Sequence, residues 1–248
     1  MHLVTWNMQG ATGGQVSKWQ DGILRLFTDR AVDRTAGIAV PDVVCLQEAG
    51  PPPRSADKLA SYLIPPPTGV AKGAVSRKVK LYNWGGTARA GRRGVAFHEW
   101  DERGHRVNLA IVTKMPIDDD TVDVDLRWVK SGFSWRPVLG LETPWGWVYS
   151  IHASAKGGGD AAGLVRAVAT VRSGKWCVAG DFNREPGTFL LPGDCAFCPP
   201  NLPTQGKPRY NKKIDYCVVS PAPQAPGITG RVRSYDDSDH YPVDYDLP

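Results

Sequence analysis

Polar and acidic side chains stand at the ends of several apolar segments that have the pattern of β-strands. In chain order they are Asn7 and Gln9, Gln47 and Glu48, His152, Asp181 and Asn183, Asp215, and the run Ser238, Asp239 and His240. Each of these residues alone is explained as a turn or cap residue. As a set, however, acids, amides and two histidines at successive strand ends are not explained by the formation of turns. They predict a site at which a metal ion and a phosphate group meet.

The elements that must position these side chains are mainly strands. Strands are predicted in HLVTWNM, DVVCLQE, KVKLYNW, GVAFHEW, NLAIVTKM, TVDVDLRWV, PVLGLE, GWVYSIHA, WCVAG, IDYCVVS, GRVRSY and YPVDYDL. The turn TPWG joins PVLGLE to GWVYSIHA as a hairpin. Stacked sheets flanked by helices account for this order better than alternating βαβ units do.

Three helices are predicted between the strands. The first follows a capping Ser17 and places on one face Trp19, Ile23, Leu26 and Phe27. A short second helix follows Ser55 and turns inward Leu59, Tyr62 and Leu63. The third is capped by Asp160, ends at Gly174 and has on one face Leu164, Val165, Val168 and Val171.

Length and composition limit the class of protein. The chain has 248 residues with 42% hydrophobic and 22% charged side chains, which excludes disordered, collagen-like and coiled-coil proteins and predicts one domain over residues 1–248. A net charge of +5 favours anionic partners without separating DNA from phospholipid. No segment approaches the ~20 apolar residues of a membrane span. The first residues, MHLVTWNMQG, lack the pattern of a secretory signal, so none is expected in this chain.

The five cysteines fall into two groups. Cys45, Cys177 and Cys217 lie inside apolar runs and are predicted to be buried. Cys195 and Cys198 form one CxxC motif without a second cysteine pair or a nearby histidine. This pattern does not predict a structural zinc site, and it leaves open both a disulfide and two free thiols.

Six blocks of the sequence resemble, in order, the signature motifs of the endonuclease/exonuclease/phosphatase superfamily with the deoxyribonuclease I fold. They are TWNMQG, VVCLQEAG, SIHASAKGGGDAAGLVR, AGDFNREP, KIDYCVV and SDHYPV. Between them, SKW, YNWGGTARAGRR, GHRVNLAIVTK, SWRPVLG and PTQ resemble the nuclease subunits of cytolethal distending toxins. The resemblance covers nearly the whole chain. It implies an α/β (α+β) fold, a four-layer sandwich of two packed, mixed, mainly antiparallel β-sheets flanked by helices.

The resemblance also implies a metal site. Glu48 is implied as the principal Mg²⁺ ligand, which suits a hard cation that prefers carboxylate oxygen. Asn7 and Asp239 are implied to complete the surroundings of the metal, for which Mn²⁺ and Ca²⁺ are further candidates. Asp181 and Asn183 are implied to position and activate the attacking water and to bind a phosphate oxygen. An Asx-turn in GDFN is compatible with that role.

Proton transfer and phosphate binding are implied for the remaining residues. His152 and His240 share proton transfer or phosphate binding without separate roles, and Asp215 is implied to pair with His240 and raise its pKa. Arg136 in SWRPVLG and Asn108 in RVNLAIVTK match phosphate-contacting positions, a solvated arginine and a strand-end asparagine being the alternatives. His2, His98 and His105 are interpreted as surface or strand-face residues. Glu99 is a candidate for the acid that supports His152. Candidates to follow a nucleic-acid backbone, or else solvated loop residues, are Arg89, Arg92, Arg93, Lys207, Arg209, Lys212 and Lys213.

The activity implied by the resemblance is Mg²⁺-dependent endonuclease hydrolysis of DNA by the catalytic subunit of a cytolethal distending toxin-like genotoxin. The implied partners are DNA and toxin delivery subunits, and the implied route is secretion and delivery to the nucleus of a target cell. A phosphoinositide or other phosphoester phosphatase is an alternative, because the motifs are shared. A noncatalytic binding module is a second alternative, against which the complete set of acids and histidines argues.

Overall fold

Alternating and continuous apolar runs form β-strands through most of the chain. The computed structural model describes residues 1–10, 18–28, 39–66, 76–85, 91–100, 107–129, 136–206, 211–222, 227–233 and 238–248. Within these residues the strands are β1 (His2–Asn7), β2 (Val43–Gln47), β3 (Asp57–Ile64), β4 (Arg77–Trp84), β5 (Arg93–His98), β6 (Leu109–Thr113), β7 (Val124–Arg127), β8 (Val138–Thr143), β9 (Gly146–His152), β10 (Trp176–Asp181), β11 (Ala196–Cys198), β12 (Asp215–Ser220), β13 (Arg231–Val232) and β14 (Val243–Asp246).

These strands form two mixed sheets that pack face to face. One has the strand order β13-β14-β1-β2-β6-β5-β4-β3, and the other has the order β11-β12-β10-β9-β8-β7. Among the named strands, β1 with β2 and β9 with β10 are parallel pairs, and the other pairs are antiparallel. The predicted two-sheet sandwich with mainly antiparallel pairing is therefore confirmed.

The core lies between the sheets and beneath the first helix. Leu3, Ile111, Ile151 and Val178 are fully buried in the cluster that joins the two sheets. A second cluster lies on the outer face of the eight-stranded sheet, under a π-helical segment, Lys18–Ile23, that continues as α1 (Leu24–Thr28). The residues predicted for the inner face of this helix are buried, namely Trp19, Ile23, Leu26 and Phe27. Within the described residues, no helix is long and apolar enough to cross a membrane.

The prediction of a helix after Ser55 is wrong. Residues Asp57–Ile64 form β3, which pairs antiparallel with β4 at the edge of the eight-stranded sheet. Leu63, predicted to face inward, is 62% exposed. The spacing of Leu59, Tyr62 and Leu63 fits one helix face, but pairing with the partner strand outweighs so short a local pattern.

The helix predicted after Asp160 is present but shorter than expected. Helix α2 covers Ala161–Ala169, so it ends before Val171, which is 41% exposed. Asp160 directly precedes the helix without capping it through its side chain. Its Oδ1 instead accepts a hydrogen bond of 2.7 Å from the backbone N–H of Ser154. This acid therefore stabilises the loop after β9 rather than the first turn of the helix.

All five cysteines have free thiols. Cys45, Cys177 and Cys217 are fully buried, as predicted. Of the CxxC pair, Cys198 is buried on β11 and Cys195 is half-buried. The alternative of two free thiols is therefore the one observed.

A buried ion-pair cluster lies at the start of β1, at the end of this strand opposite to Asn7. His2 Nε2 is 2.9 Å from Asp244 Oδ1, and His2 Nδ1 is 2.8 Å from Asp246 Oδ1. Burial acts to lower the pKa of His2, but the hydrogen bonds and charges of the two aspartates outweigh it and raise the pKa above 6.5. Asp244 also pairs with Arg233. His2 is thus a buried residue whose charge contributes to the fold.

The raised pKa of His2 gives a pH-dependent contribution to stability. Because its folded pKa lies above the unfolded value, this contribution is complete below about pH 6.5 and is lost as the pH rises through the folded pKa. We expect His2→Gln to reduce the free energy of unfolding more at about pH 5.5 than at about pH 9, as measured by urea denaturation. An equal loss at both pH values would contradict this assignment.

Candidate active site

The candidate site forms where the ends of four central strands meet. Strand β1 packs over β10 and β2 over β9, so the carboxyl ends of two parallel pairs come together at one edge of the sandwich. Asn7 Nδ2 donates a hydrogen bond of 3.0 Å to Asp181 Oδ2 across the two sheets. In the six-stranded sheet, Asp181 lies opposite His152 on β9 and opposite Asp215 on β12. The predicted strand ends are thus brought together.

A buried cluster of two acids and one histidine occupies the centre of this edge. Ligand atoms of Asp181, Asp215 and His240 all lie within 4.8 Å of one another. His240 Nδ1 is 2.8 Å from Asp215 Oδ2 and 3.1 Å from Oδ1. The structure therefore contains the acid–histidine contact that the resemblance implied.

The surroundings of the cluster raise the pKa values of His240 and Asp181. Burial acts to lower the pKa of His240, but the charge and hydrogen bond of Asp215 outweigh it and raise the pKa to about 10. His240 is consequently an imidazolium at neutral pH, and its Nδ1–H donates to the carboxylate. Burial and the charge of Asp215 raise the pKa of Asp181 to about 7. The cluster thus holds a protonated histidine beside an acid that titrates near neutrality.

His152 lies beside Asp181 of the cluster, and Glu48 lies beside His152. His152 Nε2 is 3.7 Å from Asp181 Oδ2 and 3.9 Å from Glu48 Oε1, distances too long for a direct hydrogen bond. The side chain of Glu48 is 15% exposed. Glu99, the candidate acid for His152, instead pairs with Lys80, with 2.7 Å between Oε2 and Nζ. Support of His152 by Glu99 stays a prediction.

The backbone turns sharply at three polar residues of the site. Gln9, Glu48 and Asn183 have φ of 55°, 49° and 50°, and within the described chain they are the non-glycine residues with positive φ. This left-handed conformation is uncommon for residues with a side chain and tends to occur where function requires a side chain to be aimed. Each of the three immediately follows, or lies within two residues of, a strand end. The three turns therefore hold polar residues beside the strand ends that form the candidate site.

The carbonyl oxygen of Ala153 connects several site residues. Arg136 Nη1 donates to it at 2.9 Å and Asn183 Nδ2 donates to it at 3.0 Å. The backbone N–H of Asn183 donates to Asp181 Oδ1 at 2.7 Å, so the Asx-turn in GDFN is present. Burial lowers the pKa of Arg136 while the charges of Asp160, Glu48 and Asp181 oppose that shift. Arg136 therefore lies against the acidic cluster.

Asn108 and Asp239 lie next to the cluster and hold neighbouring backbone. Asn108 is fully buried, and its Oδ1 accepts a hydrogen bond of 2.9 Å from the N–H of Trp100. The carbonyl oxygen of Asn108 accepts the N–H of Ala49, next to Glu48. The N–H of Asp239 donates to Gln9 Oε1 at 3.2 Å. These contacts fix the loops that carry Glu48 and His240, and a phosphate contact by Asn108 stays a prediction.

The basic candidates divide into described and undescribed residues. Arg92 pairs with Asp57, and Arg93 is buried with its guanidinium 4.8 Å from the centre of the Phe27 ring. Lys213 Nζ donates to the carbonyl of Asn201 at 3.3 Å, and Lys212 is exposed. Arg89, Lys207 and Arg209, like His105, lie outside the described residues. Of this group, Lys212 and Lys213 remain as candidates near the site.

Two residues in blocks named from the sequence, Ser238 and Thr204, support the site although no role was predicted for either. Ser238 Oγ donates to the carbonyl of Asn7 at 2.7 Å and accepts the N–H of His240 at 3.1 Å, so it joins the segments that carry Asn7 and His240. Thr204 Oγ1 accepts the N–H of Asp215 at 3.1 Å. A serine two residues before a histidine and a threonine in a PTQ loop are ordinary turn residues. Only the folded arrangement identifies them.

Gly180 gives the site a testable packing constraint. It directly precedes Asp181, has φ of 153°, and a Cβ there would lie 2.1 Å from the carbonyl oxygen of Ile151. We expect Gly180→Ala to lower the free energy of unfolding by about 2 to 3 kcal/mol in urea denaturation. Gly159→Ala is the control, since no described atom lies within 4 Å of its Cβ position. Equal stability of the two variants would contradict the packing around Asp181.

Comparison with known proteins identifies the family. The model of the Endonuclease/Exonuclease/phosphatase family matches residues 4–240. A solved structure of CdtB, the biologically active subunit of cytolethal distending toxin, is 27% identical, with a TM-score of 0.76 over 98% of this chain and 96% of that one. A homolog of this toxin subunit from Salmonella typhi is 32% identical over 97% of this chain and 87% of its own length. The corresponding subunit from Escherichia coli is 30% identical over 97% and 89%.

These matches span nearly the whole chain and include each strand end that contributes to the site. The family hydrolyses phosphoester bonds, and the buried acid–histidine cluster provides groups suited to that reaction. The chain therefore belongs to the endonuclease/exonuclease/phosphatase family, in the group of CdtB toxin subunits, and is a hydrolytic phosphodiesterase.

Proposed function

We propose that this chain is a Mg²⁺-dependent endonuclease that hydrolyses phosphodiester bonds in DNA. The observation that carries the proposal is the Asp215–His240 ion pair in contact with Asp181, at the edge where four strand ends meet. An imidazolium beside a carboxylate with a pKa of about 7 provides one group that stabilises negative charge and one that accepts a proton at neutral pH. Both kinds of group accelerate phosphodiester hydrolysis by water.

The donor set at the site fits a hard divalent cation. Carboxylates of Glu48 and Asp239, with the amide oxygen of Asn7, are the oxygen ligands that Mg²⁺ prefers. Asn7 Oδ1 already accepts the N–H of Gln9 at 2.9 Å, which fixes its direction and leaves a second lone pair. A bound Mg²⁺ would polarise the phosphate and offset the charge that builds up on it. Mn²⁺ and Ca²⁺ share this oxygen preference and remain further candidates.

The residues of this chain would then carry the proton transfers. Asp181, held by Asn7 and Asn183, is placed to orient the attacking water and accept its proton. His240, whose Nδ1 is engaged by Asp215, keeps its Nε2–H for the phosphate or the leaving oxygen. His152, at the end of β9, lies 3.7 Å from Asp181 Oδ2 and shares this role with His240. We assign the binding of a phosphate oxygen to Arg136, whose guanidinium is held by the carbonyl oxygen of Ala153, with Asn108 as the second candidate for that function.

A role as a genotoxin subunit is the biological part of the proposal. Two curated relatives, both named as this subunit of cytolethal distending toxin or as its homolog, match 97% of this chain. We therefore propose that this chain is the catalytic subunit of a similar toxin, with DNA as its substrate and toxin delivery subunits as its partners. Its site of action would be the nucleus of the target cell after secretion. Phosphoinositide hydrolysis is the competing activity of the same site.

Plasmid nicking tests the proposal and separates the two substrates. We expect the purified chain to convert supercoiled plasmid into open circles in Mg²⁺, to stop in EDTA, and to release much less phosphate from inositol phospholipids. Asp181→Ala should remove nicking, whereas Asp120→Ala, in an exposed turn, should retain it. Phosphate release from inositol lipids without nicking would favour the phosphatase. Neither activity in the folded chain would favour a noncatalytic module.

A further inference from the structure

Thr204 is a fully buried residue in the loop between β11 and β12, and its hydroxyl oxygen is the meeting point of two backbone amides. Thr204 Oγ1 accepts the N–H of Ile214 at 3.1 Å and the N–H of Asp215 at 3.1 Å. The hydroxyl also lies 3.4 Å from the carbonyl oxygen of Lys212, to which it can donate its proton. All three contacts are with the segment that leads into Asp215. The side chain of Thr204 therefore sets where β12 begins.

The backbone of the same loop holds the other half of the acid–histidine pair. The carbonyl oxygen of Thr204 accepts the N–H of Tyr241 at 2.8 Å, directly after His240. Two residues further on, the N–H of Gly206 donates to the carbonyl of Asp239 at 2.7 Å. Gln205 and His240 form a bridge between these contacts. One short loop is thus bonded both to the segment of Asp215 and to the segment of His240.

We propose that Thr204 is a positioning residue that holds Asp215 in register with His240 through its hydroxyl group. The hydrogen bond between His240 Nδ1 and Asp215 Oδ2, which is 2.8 Å long, joins two residues that are 25 positions apart in the sequence. The loop of Thr204 is bonded to both of these segments, and the hydroxyl makes the contacts on the Asp215 side. Thr204 acts through the dyad and does not touch the substrate. This inference rests on the proposed function and names a residue that supports it.

The proposed role of Thr204 depends on its hydroxyl group more than on the shape of its side chain. A hydroxyl oxygen has two lone pairs, which match the two amides that converge on it. Valine fills the same space but leaves both buried N–H groups without an acceptor, so the start of β12 must move to find one. Serine keeps the oxygen and loses only a methyl group. Thr204→Val and Thr204→Ser therefore separate hydrogen bonding from packing.

The kinetic test compares these two variants in plasmid nicking. We expect Thr204→Val to lower kcat by about tenfold to a hundredfold with KM within about twofold, because a small displacement of a reacting group costs rate rather than binding. Thr204→Ser should retain most of the native rate. In a His240→Ala background, Thr204→Val should cause no further loss, since residues that act as a unit are not additive. Equal losses for valine and serine, or additive losses, would overturn the proposal.

A second measurement follows the dyad without using activity. The hydrogen-bonded Nδ1–H proton of His240, assigned in NMR spectra by its absence in His240→Ala, should persist in Thr204→Ser and disappear in Thr204→Val. If the native chain folds but does not nick DNA while this signal behaves as expected, the proposed function fails and the positioning role stands. If the native chain nicks DNA and the signal survives in Thr204→Val, the positioning role fails. A valine variant that no longer unfolds cooperatively also overturns it, because the hydroxyl then holds the fold.

Discussion

An Asp215→Asn variant should nick supercoiled DNA about a thousandfold more slowly than the native chain. Asparagine has no charge to hold the His240 imidazolium. Burial, which acts to lower the pKa of His240, would then be opposed mainly by the charges of Asp181 and Asp239. His240 would lose part of the bias toward its protonated form, and its ring would face an amide that can donate as well as accept, so its tautomer would no longer be fixed. The initial rates of open-circle formation at neutral pH measure this effect.

A second aspartate–histidine pair in the same molecule provides the control. Asp244 is buried, and its Oδ1 accepts a hydrogen bond of 2.9 Å from His2 Nε2. This pair lies at the end of the sheet that is opposite to the candidate site. Asp244→Asn should lower the stability of the chain but retain nicking at a temperature where the variant is folded. Similar rate losses for the two asparagine variants would show that the Asp215 effect reflects a damaged fold rather than lost chemistry.

A Glu48→Gln variant should lose both nicking and the stabilisation that Mg²⁺ gives the native chain. A ligand that binds only the folded state raises the free energy of unfolding, by about 2.7 kcal/mol at a hundred times its Kd. We expect Mg²⁺ to raise the Tm of the native chain and to leave that of Glu48→Gln nearly unchanged. Nicking should fall at least about a hundredfold, because the carboxylate is proposed as the principal metal ligand.

The control for Glu48 is an exposed glutamate. Glu142 lies on β8 with its side chain exposed, and Glu142→Gln removes the same charge away from the cluster. It should keep the Mg²⁺-dependent rise in Tm and the native nicking rate. A Glu48→Gln chain that still gains stability from Mg²⁺ would place the metal on other residues, the first candidates being Asp181, Asp215 and His240.

The sequence predicts the sheets and the edge at which the site lies. Buried strands such as β1, β2 and β10 are mainly apolar runs, and each ends in a polar residue, namely Asn7, Gln47 and Asp181. A strand that is buried on both faces has an almost continuous run of apolar residues. Such strands can therefore be recognised from the local sequence, without knowledge of the strands with which they pair. The predicted hairpin of β8 and β9 is also local, since the turn residues lie within it.

The errors and omissions lie where distant contacts decide the structure. Residues Asp57–Ile64 have a helical spacing of apolar side chains, but pairing with β4 makes them an edge strand. Glu99 pairs with Lys80 on the neighbouring strand, a contact that depends on the pairing of β4 with β5. The hydrogen bond between Asn7 and Asp181 joins residues 174 positions apart, and no periodicity in the sequence encodes it. Here the family resemblance supplied what the local pattern could not.

The most direct test of the central claim is plasmid nicking by a His152→Ala/His240→Ala double variant in Mg²⁺. Both histidines lie close to Asp181 and come from different segments of the chain, so their joint loss removes proton transfer and phosphate stabilisation while leaving the carboxylates in place. We predict that the folded double variant produces no open circles above the level of a mock preparation. Nicking at the native rate by this variant would contradict the assignment of the active site.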